Sequence, residues 1–290
     1  MQKKLTKNQT WETFLTSVSP SDLDTYTCTR RRFEALSGVP IYRANPSSIL
    51  HFRAAIGHFS PTTIVVYIAR LKRMYEYYSA AGHAPRDNPF CSVLSGRNPR
   101  PNPRRRQPAL TAGQLKRVLA LPRTHPHYER DRLALSLLFR VGLRSAEVRK
   151  LDVNDIKRVG ASVVLRLRET KCGQDQEQLL PPDVAKAALK WAKKQPPGPL
   201  FPAMRCGARR AAGRPLSYEY LLGLCHKRAI IAGIERIGTH AGRATVATGL
   251  LESGTPPRDV MHWLRHQSLG QTMKYDRGGG EAQRRVARRI

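Results

Sequence analysis

The sequence predicts a mainly α-helical protein with one small β-sheet, an α+β fold divided into two domains. Three observations carry that prediction. Apolar residues recur at three- and four-residue steps through most of the chain, the period of helices with one buried face. The stretch SVVLRLRE instead alternates apolar and polar residues, the period of a strand. Between them the run GRNPRPNPRRRQP interrupts all periodicity, because prolines lack the N–H and the φ freedom that a helix needs.

In the first domain, residues 1–95, the clearest element is SPTTIVVYIARLKRMYEYYSAAG. Ser60 is expected as its N-cap and Pro61 as its first helical residue, where a missing N–H is harmless. Ile64, Tyr67, Ile68, Leu71, Met74, Tyr75 and Tyr78 form one apolar stripe, Arg70, Lys72 and Arg73 lie off it, and Gly82 ends it. Shorter helical patterns at 11–18, 22–36 and 47–56 complete a small helical bundle.

The charge is far from that of an ordinary enzyme. Among 290 residues, 51 Lys and Arg face 21 Asp and Glu, a formal net charge of +30. Such a field attracts polyanions, of which nucleic acid is the commonest. An anionic membrane is a poorer fit: there is no basic amphipathic face, no lipid anchor and no apolar stretch long enough to span a bilayer. The opening MQKKLTKNQTWETFL has a basic start without the apolar core of a secretory signal. Cys28, Cys91, Cys172, Cys206 and Cys225 are odd in number and contain no CxxC pair. Free thiols in a reducing compartment are therefore expected, which places the protein in the cytoplasm, at the nucleoid. The linker, residues 96–109, carries Arg104, Arg105 and Arg106, which suit a segment running along phosphates; a solvated hinge with incidental charge is the plainer alternative.

The second domain, residues 110–277, opens with a capping-box spacing between Thr111 and Gln114. RDRLALSLLFRVGL reads as a buried helix, and Ser145 as the cap of the short helix SAEVRKL. The strand at 163–168 is followed by TKCGQDQ as its turn and EQLL as the return strand. Helices are expected at 184–194, 218–232, 240–252 (capped by Thr239, closed by Gly254) and 256–265. Residues 278–290 begin with three glycines and read as a flexible basic tail.

Five features of this domain suit chemistry on an anion: Arg144 in GLRSAE, Lys171 in RETKCG, His240 and Arg243 in THAGR, His266 in LRHQS, and Tyr275. Each alone has a plainer reading. Arg144 can pair with Glu147 one turn on, Lys171 can be any hairpin-tip lysine, and His240 a surface residue at a helix start. His262 and His266 are at metal-ligand spacing, but no intervening glutamate or third ligand accompanies them.

Together the motifs resemble the tyrosine recombinase (phage integrase) family, in its order and approximate spacing, from Leu110 to Tyr275. RDRLALSLLFRVGLRSAEVRKLDVNDI is similar to the family's first-arginine box and TKCGQDQEQLLPP to its lysine hairpin. THAGRATVATGLLESG matches its His-x-x-Arg helix start, and LRHQSLGQTMKY its histidine-to-tyrosine segment, with the two residues nine apart. The N-terminal helices and Asn88-Pro89 are similar to the family's core-binding domain. The resemblance implies a SAM-like helical domain and a catalytic domain forming a C-shaped clamp on double-stranded DNA, with four protomers in the synaptic assembly. It implies cutting and rejoining through a 3′-phosphotyrosyl link, without ATP, metal or other cofactor. Tyr275 would be the nucleophile, and Arg144 and Arg243 the bidentate donors to the non-bridging oxygens. Lys171 would protonate the departing 5′-oxygen, His240 would assist proton transfer, and His266 would hydrogen-bond the phosphate.

Arg70 and Arg73 are further candidates for DNA contact. Where the family has Leu-Gly-His, this chain has Leu264-Arg265-His266, and Arg265 is expected to add a phosphate contact. Two other readings remain open: relaxation of DNA like a type IB topoisomerase, which shares this residue set, and sequence-specific DNA binding without catalysis.

Overall fold

A computed structural model describes residues 5–92, 109–168, 174–204, 210–235, 237–276 and 287. Lys171, Cys172, Cys206, the Arg104–Arg106 run and nearly all of the glycine-led tail lie outside the described residues. The chain divides into two compact units, Met1–Arg106 and Gln107–Ile290.

The first unit is built of the helices Lys7–Thr16, Leu23–Ser37, Pro46–Ala55, Pro61–Ala80 and Pro89–Ser92. Their starts follow local chemistry. The Thr6 hydroxyl accepts from the backbone N–H of Gln9, the Asn45 side chain from that of Ser48, and the Ser60 hydroxyl from that of Thr63. Gly38, at φ 72°, ends the second helix in the left-handed conformation that glycine adopts freely. On the long helix Ile68, Leu71, Met74, Tyr75 and Tyr78 are buried, while Ile64 and Tyr67 pack at the edge of the same core. Phe14, Phe33, Phe52 and Phe90 fill it from the other helices, each worth about 1.5–3 kcal/mol of apolar burial. Arg73 lies off the stripe as expected; its guanidinium sits over the Tyr26 ring and donates to its hydroxyl at 3.3 Å.

The second unit packs helices around a three-stranded antiparallel sheet, in which Ser162–Leu167 lies between Ile156–Val159 and Gln176–Leu179. Val164 pairs with Leu179 and Leu167 with Gln176, so the hairpin whose turn carries Lys171 is framed by described strands. Among the strands, three are additions to the sequence reading. The edge strand Ile156–Val159 has no buried residue and therefore no alternation to detect. Pro202–Met204 and Arg210–Pro215 form a second, two-stranded sheet.

Helix Ala112–Leu119 begins with the Thr111–Gln114 capping box, and Arg228 donates to the carbonyls of Arg117, Val118 and Ala120 at its other end. At the centre runs the helix His240–Glu252, buried continuously from Ala241 to Thr248. Its N-cap is Thr239 as expected, but the Thr239 side chain makes no capping bond. Helices Pro257–Leu264 and Leu269–Met273 close the unit. Among the described residues, no helix is long and apolar enough to cross a membrane.

Candidate active site

The buried helix read from RDRLALSLLFRVGL is α-helical over Tyr128–Ser136 and widens to a π-turn over Leu137–Val141. Such turns offset the backbone by one residue and are frequent at functional sites. The π-turn ends at Gly142, whose φ of 83° a side chain would strain. A Cβ there would also lie 2.6 Å from Leu264 Cδ2. The chain then reaches Arg144 in extended conformation. Arg144, rather than Ser145, is the N-cap of helix Ser145–Lys150. The reason is Glu147, whose carboxylate reaches back to accept the Arg144 backbone N–H at 2.7 Å and its guanidinium at 2.6 Å. The plainer reading of Arg144, pairing with Glu147, is thus present in the geometry.

Arg243, on the first turn of the central helix, is only 5% exposed. Its guanidinium donates to the carbonyls of Gly142, at 3.0 Å, and Leu264, and its Nε–H to His266 Nε2 at 3.2 Å. Close approach of two backbones permits this. A Cβ on Gly242 would stand 2.4 Å from the Leu138 carbonyl oxygen, so only glycine lets the central helix lie against the π-turn. The Trp263 indole N–H, donating to Val141 at 3.0 Å, pins the same turn from helix Pro257–Leu264.

The bond from Arg243 fixes the state of His266. Arginine Nε always carries its hydrogen, so His266 Nε2 must accept, and the ring proton sits on Nδ1, within 2.8 Å of Thr272 Oγ1. Burial, then Arg243, Arg144 and Arg265, push the imidazole down to about 4, so it stays neutral at physiological pH. The same crowding, burial first and then Arg144 and Arg265, lowers Arg243 to about 10, leaving it charged.

Tyr275 completes the cluster. Its ring stacks on His266, with centroids 5.8 Å apart and planes 17° from parallel. It packs on the apolar group of Val246, Ala247, Val260 and Leu264. Its N–H donates to the Thr272 carbonyl at 2.9 Å, and its own carbonyl accepts from Thr248 Oγ1 at 3.3 Å. Buried Thr272 therefore ties the histidine to the tyrosine, a role with no signature in the sequence.

The structure brings Arg144, Arg243, His266 and Tyr275 together. His240 lies at the exposed start of the central helix. Arg265, expected to add a phosphate contact, is engaged within the protein. Its side chain, 7% exposed, turns inward to Glu147 at 2.9 Å. Burial raises the Glu147 carboxyl, but Arg265 and Arg144 outweigh burial and leave it below the ordinary carboxylate range. Three guanidiniums and one carboxylate leave the cluster net positive, which suits an anion with several acceptor oxygens. Among the described residues there is no group of three or more His, Cys, Asp or Glu side chains placed to hold a metal ion.

The sequence model of the phage integrase family matches residues 108–278, which span the whole of this cluster. The chain belongs to that family. Tyrosine recombinase XerC of Chromohalobacter salexigens is 30% identical over 282 residues, 92% of this chain and 90% of its own length. Tyrosine recombinase XerD of Xanthomonas campestris pv. campestris is 32% identical over 206 residues, 65% of this chain and 59% of its own. Among solved structures, XerH site-specific recombinase bound to palindromic difH substrate aligns with a TM-score of 0.68 at 18% identity, over 92% of this chain and 79% of that one. The Tn1549 transposon integrase in complex with transposon right end DNA aligns with a TM-score of 0.66 at 18% identity, over 98% and 99%. These two likenesses show a shared α+β fold of helices with a small β-sheet.

Proposed function

We propose that this protein is a site-specific DNA recombinase that cuts and rejoins duplex DNA through Tyr275. The Tyr275 oxygen attacks a backbone phosphorus, a Tyr–O–P bond forms, and the bond to the 5′-oxygen breaks. One phosphoester replaces another, so no external energy is needed for rejoining. Arg144 and Arg243 bind the non-bridging oxygens, where charge gathers in the transition state. Lys171 protonates the leaving 5′-oxygen and His240 assists the proton transfers. His266, held neutral with Nε2 on Arg243 and Nδ1 on Thr272, orders Arg243 and backs the Tyr275 ring in place of the phosphate hydrogen bond expected of it.

The observation that carries this reading is the chain of contacts from Tyr275 through His266 to Arg243. A packing tyrosine would not need a neutral histidine between itself and a buried guanidinium. The DNA-bound recombinase and integrase relatives support duplex DNA as the substrate. The net charge of +30 supports a strongly salt-dependent grip on it, with the linker arginines Arg104, Arg105 and Arg106 and the helical Arg70 and Arg73 as contributors. Four protomers on two duplexes form the assembly in which strands are exchanged.

A duplex carrying the target site and a nick beside the scissile phosphate provides the test. The 5′-fragment diffuses away and traps the intermediate. The native protein is expected to form a covalent adduct at one phosphate, and Tyr275→Phe none. No adduct from the native protein on any site-bearing duplex, or equal adducts from both, would overturn the proposal.

A further inference from the structure

Arg265 is the one non-glycine residue with positive φ among the described residues, at 53°. It ends helix Pro257–Leu264 between the carbonyl that accepts from Arg243 and the histidine that stacks on Tyr275. Glycine would make the same turn without strain, whereas a side chain there is strained. What the arginine adds is a buried ion pair with Glu147.

Glu147, its side chain 9% exposed, holds three groups at once: the Arg144 backbone N–H, the Arg144 guanidinium and Arg265 Nη2. With Arg144 alone as its counter-ion, the carboxylate would cancel the charge that Arg144 must present to an incoming anion. It would also be held only by Arg144, through the backbone N–H and a side chain that is 25% exposed. A second, buried guanidinium changes both conditions. It balances the carboxylate, so the Arg144 charge is no longer neutralised locally, and it anchors Glu147 from the far side. The Arg265 backbone carbonyl adds a weak contact to Arg144 Nη2 at 3.5 Å.

We propose that Arg265 is a positioning residue: through Glu147 it aims Arg144 and leaves that guanidinium's charge available to the phosphate. The phosphate in this statement rests on the recombinase reading; the aiming of Arg144 does not.

Two measurements test it, with Arg265→Gly and Arg265→Asn as paired variants, since both residues tolerate the left-handed turn. The first is the single-turnover rate of adduct formation on the nicked duplex. Both variants should be slower by about tenfold or more, with DNA affinity nearly unchanged, because positioning acts on the chemical step. In a Glu147→Gln background the same substitutions should add less than about twofold, since the two residues act as one unit. Native-like rates, or penalties that multiply fully in the double variants, would overturn the proposal. The second uses the full chain without DNA. Hindered rotation of the Arg144 guanidinium, followed by NMR and assigned through Arg144→Lys, should be present in the native protein and released in both variants. Rotation unchanged by loss of Arg265 would overturn the proposal too. Should the native protein form no adduct, the recombinase reading fails, and the rotation measurement alone decides the role of Arg265.

Discussion

Both units lay arginines on aromatic faces, but the second also buries them among polar acceptors. In the first, guanidiniums lie on aromatic faces: Arg30 over Trp11 at 4.6 Å, Arg32 over Tyr67 at 5.4 Å and Arg73 over Tyr26 at 5.8 Å. In the second, Arg130 lies over Tyr220 at 4.7 Å, while buried Arg243 and Arg228 and the 7% exposed side chain of Arg265 are directed at carbonyls, a histidine ring and a carboxylate. Stacking needs only a flat cation near a ring, and each such contact is worth about 0.5–1 kcal/mol when exposed. Buried forks need several acceptors at fixed angles, so they hold backbone segments in register and are costly to disturb. Residue type alone does not distinguish structural from chemical arginines; the nature and number of acceptors does.

The strongest way to break that contrast is to replace arginine by lysine in both settings. Arg243→Lys keeps the charge but cannot reach Gly142, Leu264 and His266 together. Adduct formation is expected to fall by about 10²–10³-fold, the usual consequence of losing one pre-placed donor to a transition-state oxyanion. Arg30→Lys, by contrast, retains a cation near both Trp11 and Glu34 and should lower unfolding free energy by no more than about 1 kcal/mol. Single-turnover kinetics and denaturant titration read the two effects, and comparable losses on both measures would erase the distinction.

A second test moves the backbone instead of the arginine. Gly242→Ala places a methyl group 2.4 Å from the Leu138 carbonyl oxygen, which belongs to backbone and cannot turn aside. The helix must lift away, at about 1–3 kcal/mol of stability, and carry Arg243 out of reach of its acceptors. Gly249→Ala, two turns along the same helix, meets nothing within 4 Å and should stabilise by up to about 1 kcal/mol through helix propensity. Thermal denaturation of both variants checks the opposite signs. A tolerated Gly242→Ala would mean that the central helix and the π-turn are less tightly joined than the geometry requires.

Local chemistry was readable from the chain, and long-range pairing was not. The Thr111–Gln114 box, the Ser60 cap and the apolar stripe of Pro61–Ala80 rest on residues within a turn or two of each other, and the structure has them. So too the His266–Tyr275 spacing became a ring stack. By contrast, Arg265 meets Glu147 from 118 residues away, and no periodicity reports such a contact. The cap at Arg144 was misplaced by one residue because Glu147 does the capping from inside the helix. Nothing in the sequence marks Thr272, yet its side chain and its carbonyl serve two different members of the cluster. The strand Ile156–Val159 lacks a buried face, so no alternation of apolar and polar residues marks it.

The smallest expected effect concerns pH and separates a rigid cluster from a loose one. The His266 imidazole is held at about 4 when folded, against an unfolded value near 6.5. Between those values the unfolded chain binds a proton that the folded chain refuses. The His266 contribution is therefore complete above about pH 6.5 and is lost progressively as pH falls toward 4. Glu147, whose carboxyl is depressed, loses its contribution only below the ordinary carboxylate range, so the interval from pH 6.5 to 5 reports chiefly on histidines. The melting temperature of the native protein should fall across that interval by more than that of His266→Gln, because glutamine can accept from Arg243 without titrating. Three nearby guanidiniums, rather than burial alone, make a fourth positive charge so unwelcome there. An identical slope in both proteins would mean that the bond from Arg243 to His266 is not held in solution. The buried arginines of the second unit would then be as loosely fixed as those lying on rings in the first.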